Sequence, residues 1–189
     1  MVKKKICVFI SGRGTNLEAL IKSSRNYSFP GNISLIVSNN ADSKGLKFAK
    51  MYSIPFLIFQ PKSQLSEKKL TNEIKNKKIR IICLAGYMKI LTKKFIRGVG
   101  CPIINIHPSL LPKYKGLNTY ERIIKFKEAK TGCTVHHVNE KLDSGTILHR
   151  RYFYLDNKED INTLKIKTQK LEYLAYSEAI IKVAKSLNP

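Results

Sequence analysis

Four mostly apolar runs constrain the fold of this chain more than any other feature of its sequence. They are rich in Ile, Val and Leu and cover residues 6–10, 33–37, 80–85 and 102–106. Runs that are apolar at nearly every position are typical of strands buried on both faces, as in parallel sheets that helices cover. The runs therefore predict a mostly parallel central sheet with helices on both faces.

Segments with helical spacing separate these runs. We predict a helix through residues 17–21, a helix near 43–52, a short strand at 55–59 and a helix at about 65–76. The resulting βαβαβ order predicts a Rossmann-like α/β fold. Because 189 residues suit one domain with a full core, we expect residues 1–189 to form a single domain.

The pattern changes after Pro112. A helix near 119–128 is followed by the runs 131–138 and 145–154, which predict strands of a mixed or antiparallel C-terminal extension of the sheet. Asp160 then opens a long segment with apolar residues at helical spacing. This last segment predicts a helix that packs against the sheet.

Composition excludes several classes of protein. With 43% apolar and 25% charged residues, the chain is neither disordered nor collagen-like. No apolar run approaches the roughly 20 residues that a membrane helix needs. The basic start and short apolar run of residues 1–10 resemble a signal peptide, but Arg13 follows without a small-residue cleavage site. We therefore expect a cytoplasmic protein that does not contact membranes.

The four cysteines favour reduced, buried thiols. Cys7, Cys83, Cys101 and Cys133 form no CxxC pair, and no histidine pairing repeats at the spacing of a zinc site. Three of them lie inside strand-like runs. We expect no metal site and no disulfide framework.

The net charge of +22 is large for a chain of this size. Such a charge is compatible with nucleic acid or another polyanion as a partner. However, the lysines are spread along the whole chain, and aromatic residues are not interleaved with them as single-strand binding requires. We therefore expect the charge to attract small anionic substrates, and a polyanion-binding module is kept as the non-enzyme alternative.

The first candidate site follows the first predicted strand. Gly12 and Gly14 form a G-x-G turn directly before a helix, where free N–H groups and the helix dipole favour a phosphate. It is not a dinucleotide fingerprint, because the third glycine position is Leu17, and no Gly-Lys-Ser/Thr of a Walker loop follows. Phosphate binding and a simple tight turn both remain open.

The second candidate site follows the strand at 102–106. Alternation along the strand places Asn105 and His107 on the same side, at the end of a strand where open α/β sheets bind ligands. Pro108 and Pro112 stiffen the loop that follows. The same residues are also compatible with a histidine that only bonds to nearby backbone.

The third candidate is Asp143, in the sequence Leu-Asp-Ser-Gly after the predicted strand 131–138. Asp and Gly favour turns, so this segment is compatible with a turn alone. A carboxylate there can also pair with His107 and raise its pKa, because a nearby negative charge favours imidazolium.

Three segments together resemble the folate-dependent formyltransferase family in order and spacing. They are residues 10–17, residues 84–111 and residues 142–145. The Leu-Ala-Gly-Tyr-Met-Lys-Ile-Leu run at 84–91 and the Asn-Ile-His-Pro-Ser-Leu-Leu-Pro run at 105–112 are highly specific to this family. The start of the chain resembles in particular the branch whose acceptor is glycinamide ribonucleotide.

The resemblance implies an enzyme that takes a formyl group from 10-formyltetrahydrofolate as co-substrate, without a metal. It implies that Asn105, His107 and Asp143 form the catalytic trio. It also implies two binding sites. The residues of these sites are Gly14, Thr15, Asn16 and Glu172 for the ribonucleotide and its phosphate, and Met88, Lys89, Ile90, Leu91 and Asn105 for the folate.

The implied chemistry is direct attack of an amine on the formyl carbon. Asn105 and protonated His107 would stabilise the oxyanion, and His107 would help deliver a proton to the leaving nitrogen. Asp143 would orient His107 and keep it charged near neutral pH. We expect a monomer or a homodimer.

Some residues depart from the family pattern. Lys89 stands where the family often has arginine, and Lys115 where its loop usually has proline. The segment 64–70 is shortened and lacks the arginine expected near the folate tail, for which Lys62 or Lys68 are substitutes. These departures concern affinity for the folate tail more than catalysis.

Two other enzymes share the same trio and remain alternatives. Methionyl-tRNA formyltransferase usually carries a further C-terminal domain, and formyltetrahydrofolate deformylase an N-terminal one. The length of the chain therefore favours the glycinamide ribonucleotide branch over both.

Overall fold

Seven strands form one central sheet within residues 2–60, 64–156 and 159–187, which the computed structural model describes. The strands are β1 (Lys4–Ile10), β2 (Gly31–Ser38), β3 (Phe56–Ile58), β4 (Ile81–Leu84), β5 (Ile103–His107), β6 (Lys130–His137) and β7 (Ile147–Tyr154). The helices are α1 (Thr15–Ser24), α2 (Leu46–Met51), α3 (Gln64–Asn76), α4 (Lys93–Gly98), α5 (Thr119–Lys125) and α6 (Ile161–Ser186).

The strand order is β3-β2-β1-β4-β5-β6-β7. The first five strands are parallel, whereas β6 runs antiparallel to β5, and β7 runs antiparallel to β6. The predicted Rossmann-like sheet with a mixed C-terminal extension is confirmed. The order of the strands reverses between β1 and β4, which is the point where open α/β sheets bind ligands at the carboxyl ends of their strands.

The core lies on both faces of the sheet, as the apolar runs require. Along β1, Ile6, Val8 and Ile10 belong to a cluster that includes residues of α1 and α6. Cys7 and Phe9 point to the opposite cluster, which includes residues of α3 and α4. The cysteines at 7, 83, 101 and 133 are all free thiols.

Strands β5 and β6 divide their side chains differently. One face of each strand is apolar and packs in the cluster that α6 covers, through Ile104, Ile106, Cys133 and Val135. The other face carries polar side chains, and the register places Asn105 opposite His136 and His107 opposite Thr134. A polar patch of four side chains therefore lies across this strand pair.

Polar groups stabilise helix α6 at two points, one within its first turn and one against the sheet. The Asp160 carboxylate caps its first turn by accepting a hydrogen bond from the Thr163 N–H at 2.7 Å. The buried hydroxyl of Tyr176 lies 3.0 Å from the Leu84 carbonyl and 3.1 Å from the Ile104 carbonyl. The Tyr176 hydroxyl thereby attaches the helix to β4 and β5.

Helix α4 is absent from the sequence-based prediction. The Thr92 hydroxyl begins it by accepting a hydrogen bond from the Phe95 N–H at 3.1 Å, and Phe95 is buried. Six residues are too few for a recognisable apolar period. Helix α5 ends at Lys125, earlier than the predicted end at residue 128.

Candidate active site

The three predicted catalytic side chains meet. Asn105 and His107 project from β5, and Asp143 lies on the connection between β6 and β7. His107 Nδ1 is 3.3 Å from Asp143 Oδ2, and Asn105 Nδ2 is 3.5 Å from Asp143 Oδ1. His107 and Asp143 are buried. An amide, an imidazole and a carboxylate thus converge from segments far apart in sequence.

The ionisation of His107 differs from the expectation. Burial lowers the pKa of His107 below its ordinary value of 6.5, and this effect outweighs the Tyr114 hydrogen bond and the Asp143 charge, which both raise it. The prediction that Asp143 keeps the imidazole charged near neutral pH was therefore wrong in its net direction. The physical reason is that desolvation penalises the imidazolium more than one carboxylate at 3.3 Å compensates.

Asp143 remains ionised despite its burial. Burial raises its pKa, but hydrogen bonding from His136 and from the Gly116 N–H, together with the charges of His107 and His136, lowers it by more. The Gly116 N–H donates to Asp143 Oδ2 at 2.9 Å. At neutral pH the pair therefore consists of a neutral imidazole beside an ionised carboxylate.

The backbone of residues 114–116 contacts both members of this pair. His107 Nε2 is 2.8 Å from the Tyr114 carbonyl. Since a carbonyl only accepts, Nε2 carries the hydrogen and donates it, which leaves Nδ1 of neutral His107 as the nitrogen that faces Asp143. The Gly116 N–H holds the carboxylate from the same segment.

His136 is a site residue that the sequence-based prediction missed. Its Nε2 is 3.4 Å from Asn105 Nδ2 and 3.5 Å from Asp143 Oδ1, and its Nδ1 donates to the His137 carbonyl at 2.8 Å. In the neutral ring Nε2 therefore accepts from the Asn105 amide, and only in the protonated ring does the same nitrogen donate to Asp143 and lower the pKa of that carboxyl. The pairing of β6 with β5 brings His136 opposite Asn105, and the sequence-based prediction did not assign the strand next to β6.

The predicted phosphate turn lies at the start of α1. Gly14 adopts a left-handed φ of 74°, and a Cβ added there would lie 2.6 Å from Gly45 Cα, so glycine is required at this close approach. The first N–H groups of α1, at Thr15 and Asn16, have no partner within the helix. The Thr15 hydroxyl accepts a hydrogen bond from Gln169 Nε2 at 2.6 Å, which ties the turn to α6.

The side chains of Asn16 and Glu172 face each other in the interior. Asn16 Nδ2 donates to Glu172 Oε2 at 2.8 Å, and both residues are buried. Burial raises the pKa of the Glu172 carboxyl, although the Asn16 hydrogen bond lowers it in part. Asn16 Oδ1 is buried without a hydrogen-bond partner among the described residues. Both side chains thus lie beneath the turn, between α1 and α6.

The predicted folate segment forms an exposed apolar strip beyond β4. Met88 and Ile90 are 73% and 82% exposed, Lys89 is exposed, and Leu91 packs partly against the core. The Met88 N–H donates to the Ser11 hydroxyl at 2.8 Å, so the strip is attached to the end of β1. Exposed apolar side chains beside a polar cluster are typical of a surface that receives a ligand.

A model of the family described as "Formyl transferase" matches residues 4–180 of this chain. The chain belongs to the formyl transferase family.

Individual members agree with this assignment. The formyl transferase chain is 41% identical to the phosphoribosylglycinamide formyltransferase of Haemophilus influenzae over 177 residues, which is 92% of this chain and 84% of that protein. It is 36% identical to the trifunctional purine biosynthetic protein adenosine-3 of Gallus gallus over 96% of its length, and it spans only 18% of that protein.

The fold agrees with solved structures of the family as well. The crystal structure of the phosphoribosylglycinamide formyltransferase from Brucella melitensis superposes with a TM-score of 0.91 at 34% identity, covering 99% of this chain and 98% of that one.

Of the two lysines considered for the folate tail of this formyl transferase, the structure describes only one. Lys62 lies outside the described residues. Lys68 is exposed on α3.

Among residues 2–60, 64–156 and 159–187, no cluster of His, Cys, Asp and Glu is arranged to hold a metal ion. In the same part of the chain, each helix falls short of the length and apolarity that a membrane crossing demands.

Proposed function

We propose that this formyl transferase moves the formyl group of 10-formyltetrahydrofolate to the amine of glycinamide ribonucleotide, a step of de novo purine biosynthesis. The observation that carries the proposal is the meeting of Asn105, His107 and Asp143 at the ligand-facing edge of the sheet. The acceptor is inferred from the names of the proteins above that resemble most of this chain.

The amine is the nucleophile, so the protein needs no covalent one. The amine nitrogen bonds to the formyl carbon, and the carbonyl electron pair moves to oxygen. The amide N–H of Asn105 stabilises this oxyanion. Removing a single donor of this kind typically costs about 2.7–4 kcal/mol of transition-state stabilisation.

The proton of the attacking amine passes to the pair of His107 and Asp143. Because burial lowers the pKa of His107, the ring is neutral before the reaction, and its unprotonated Nδ1, which lies 3.3 Å from Asp143 Oδ2, is the nitrogen that accepts. The imidazolium formed in this way lies beside ionised Asp143, stabilises the oxyanion and then gives its proton to the leaving folate nitrogen. The carbon–nitrogen bond to the folate breaks as the carbonyl reforms, so no proton is lost or gained.

Two binding surfaces bring the substrates together. The turn at Gly14, Thr15 and Asn16 holds the phosphate with backbone N–H groups at the start of α1. Glu172 acts on the ribonucleotide from beneath this turn, through its contact with Asn16. The folate ring system lies along Met88, Lys89, Ile90 and Leu91 and reaches Asn105. Holding two reactants in the correct geometry supplies a large part of the rate enhancement in such reactions.

The test is a formyl transfer assay with purified protein, glycinamide ribonucleotide and 10-formyltetrahydrofolate. Asn105→Ala, His107→Ala and Asp143→Ala are each expected to lower kcat roughly a hundredfold or more, because each removes a group that acts in the transition state. His149→Ala is the matched control, since this histidine lies on β7 and pairs with Glu178 instead.

Other acceptors define the contrary outcome. If methionyl-tRNA or water receives the formyl group faster than glycinamide ribonucleotide, the proposed acceptor is wrong. If one of the three variants keeps the wild-type rate, the role given to that residue is wrong.

A further inference from the structure

Residues 114–116 need an external support. They hold His107 and Asp143 through the Tyr114 carbonyl and the Gly116 N–H. Yet Tyr114 has a φ of 58° and Gly116 a φ of 77°. A left-handed conformation is unfavourable for a residue with a Cβ, so contacts with the rest of the protein must maintain it at Tyr114.

Arg122 of α5 supplies such contacts to this segment at two points. Its Nη1 donates to the Lys115 carbonyl at 2.7 Å. Its guanidinium carbon lies 5.2 Å from the centre of the Tyr114 ring, in a cation–π arrangement. Arg122 therefore contacts the backbone of Lys115, which lies between the Tyr114 carbonyl and the Gly116 N–H. It also contacts the ring of Tyr114.

A second contact holds the Tyr114 side chain at its hydroxyl. The Tyr114 hydroxyl donates to Glu128 Oε1 at 2.6 Å, and Lys113 Nζ is 2.8 Å from the same oxygen. Arg122 thus contacts the face of the ring and Glu128 its hydroxyl. The planar guanidinium can donate to a carbonyl and stack on a ring at the same time, which a lysine ammonium cannot do.

Arg122 also acts on His107 by its charge. The groups that face His107 come from four elements: Asp143 from the β6–β7 connection, His136 from β6, Arg122 from α5 and the Tyr114 carbonyl from the loop after β5. The first and last of these raise the pKa of His107, whereas the charges of His136 and Arg122 lower it. The two effects of Arg122, on position and on charge, are therefore separable by substitution.

We propose that Arg122 is a positioning residue of the transfer reaction: it fixes the backbone of residues 114–116 so that this segment holds His107 and Asp143 in their reactive arrangement. The inference rests on the proposed function. It concerns a residue of α5 that acts through the Lys115 carbonyl and the Tyr114 ring.

The test compares Arg122→Gln, Arg122→Lys and wild type in the formyl transfer assay across pH. Both variants lose the stacked, forked guanidinium, so kcat is expected to fall roughly tenfold, with KM for both substrates changed less than about twofold. Arg122→Lys keeps the positive charge, so the pH at which kcat falls on the acid side is expected to stay at its wild-type value. Arg122→Gln removes the charge, so the pKa of His107 rises and the acid limb moves to higher pH. Lys125→Gln is the control, because it removes an exposed charge from the same helix.

A second readout does not depend on turnover. The imidazole of His107, assigned with a His107→Asn variant, is titrated by NMR in wild type and in Arg122→Gln. The proposal is overturned if kcat and the His107 titration are unchanged in Arg122→Gln, or if only thermal stability differs. If Arg122→Gln does not fold, Arg122→Lys must still lose kcat at constant KM. A wild-type protein without transfer activity rejects the proposed function, while the NMR titration still decides whether Arg122 acts on His107.

Discussion

At the scale of single residues, the ionisation of His107 sets the direction in which protons move. Its ring is buried between Asp143 and the Tyr114 carbonyl, and desolvation lowers its pKa below 6.5. A neutral ring at rest is suited to receive the proton of the attacking amine. A ring charged at rest would first have to lose a proton.

A substitution at Asp143 tests this order of events. Asp143→Asn removes a negative charge that raises the pKa of His107, so that pKa falls further below 6.5. The neutral ring then persists to lower pH, and the acid limb of kcat is expected to move to lower pH, on a plateau reduced roughly a hundredfold. The measurement is kcat from about pH 5 to about pH 8. An acid limb displaced to higher pH contradicts the assignment.

The residues together with the family resemblance predicted which side chains meet, but not their chemical state. Alternation along one strand was sufficient to place Asn105 and His107 on the same side. The degree of burial around His107 depends on the loop at 114–116 and on Asp143, which approach from distant parts of the chain. Whether desolvation or the carboxylate dominates its pKa was therefore not accessible from the residues alone.

At the scale of elements, the turn between β1 and α1 is constrained by Gly45, which lies directly before α2. A Cβ at Gly14 would lie 2.6 Å from Gly45 Cα, and the φ of 74° is unfavourable for other residues. Around Gly12, in contrast, a Cβ would meet nothing within 4 Å. The two glycines of this turn thus have different requirements.

Gly14→Ala is expected to destabilise the protein by about 1–3 kcal/mol, because the turn must shift and adopt a strained backbone. The shift displaces the N–H groups of α1, so KM for glycinamide ribonucleotide rises as well. Urea unfolding and steady-state kinetics measure the two effects. Gly12→Ala serves as the matched control with little change in either. Equal effects of both substitutions would show that the close approach to Gly45 is not the cause.

The long elements were predictable and the short or paired features were not. A helix of 26 residues and the apolar strands carry clear periodic patterns. The six residues of α4 do not. The inward position of Glu172, against Asn16, depends on how α6 packs on α1, and a carboxylate at helical spacing gives no sign of it.

At the scale of the whole molecule, the net charge of +22 surrounds a site for anionic substrates. We expect KM for glycinamide ribonucleotide to rise severalfold as ionic strength is increased from about 0.01 M to about 0.15 M, since the Debye length falls from about 30 Å to about 8 Å. The chemical step is local, so kcat is expected to change little. Initial rates at matched osmolarity, with sucrose replacing the salt, provide the control. A KM independent of salt would mean that the charge does not assist binding.

The order of the strands is the whole-molecule property that the sequence left undetermined. The runs at 131–138 and 145–154 were compatible with a mixed or an antiparallel extension. The structure joins β6 to β5 in antiparallel pairing, and this pairing brings His136 to Asn105. The contact between His136 and Asn105 therefore depends on the order of the strands in the sheet, which all the elements determine together.

The two-sided character of β5 and β6 makes catalysis a test of correct folding. Ile104 and Ile106 enter the core while Asn105 and His107 face the opposite side. A slip of one residue in either strand would exchange these sets, placing isoleucines in the polar site and imidazole and amide groups in the apolar core. A molecule with the wrong register would lose both its stability and its catalytic site. The measured activity of a preparation is therefore proportional to the fraction of molecules in which β5 and β6 pair in the native register.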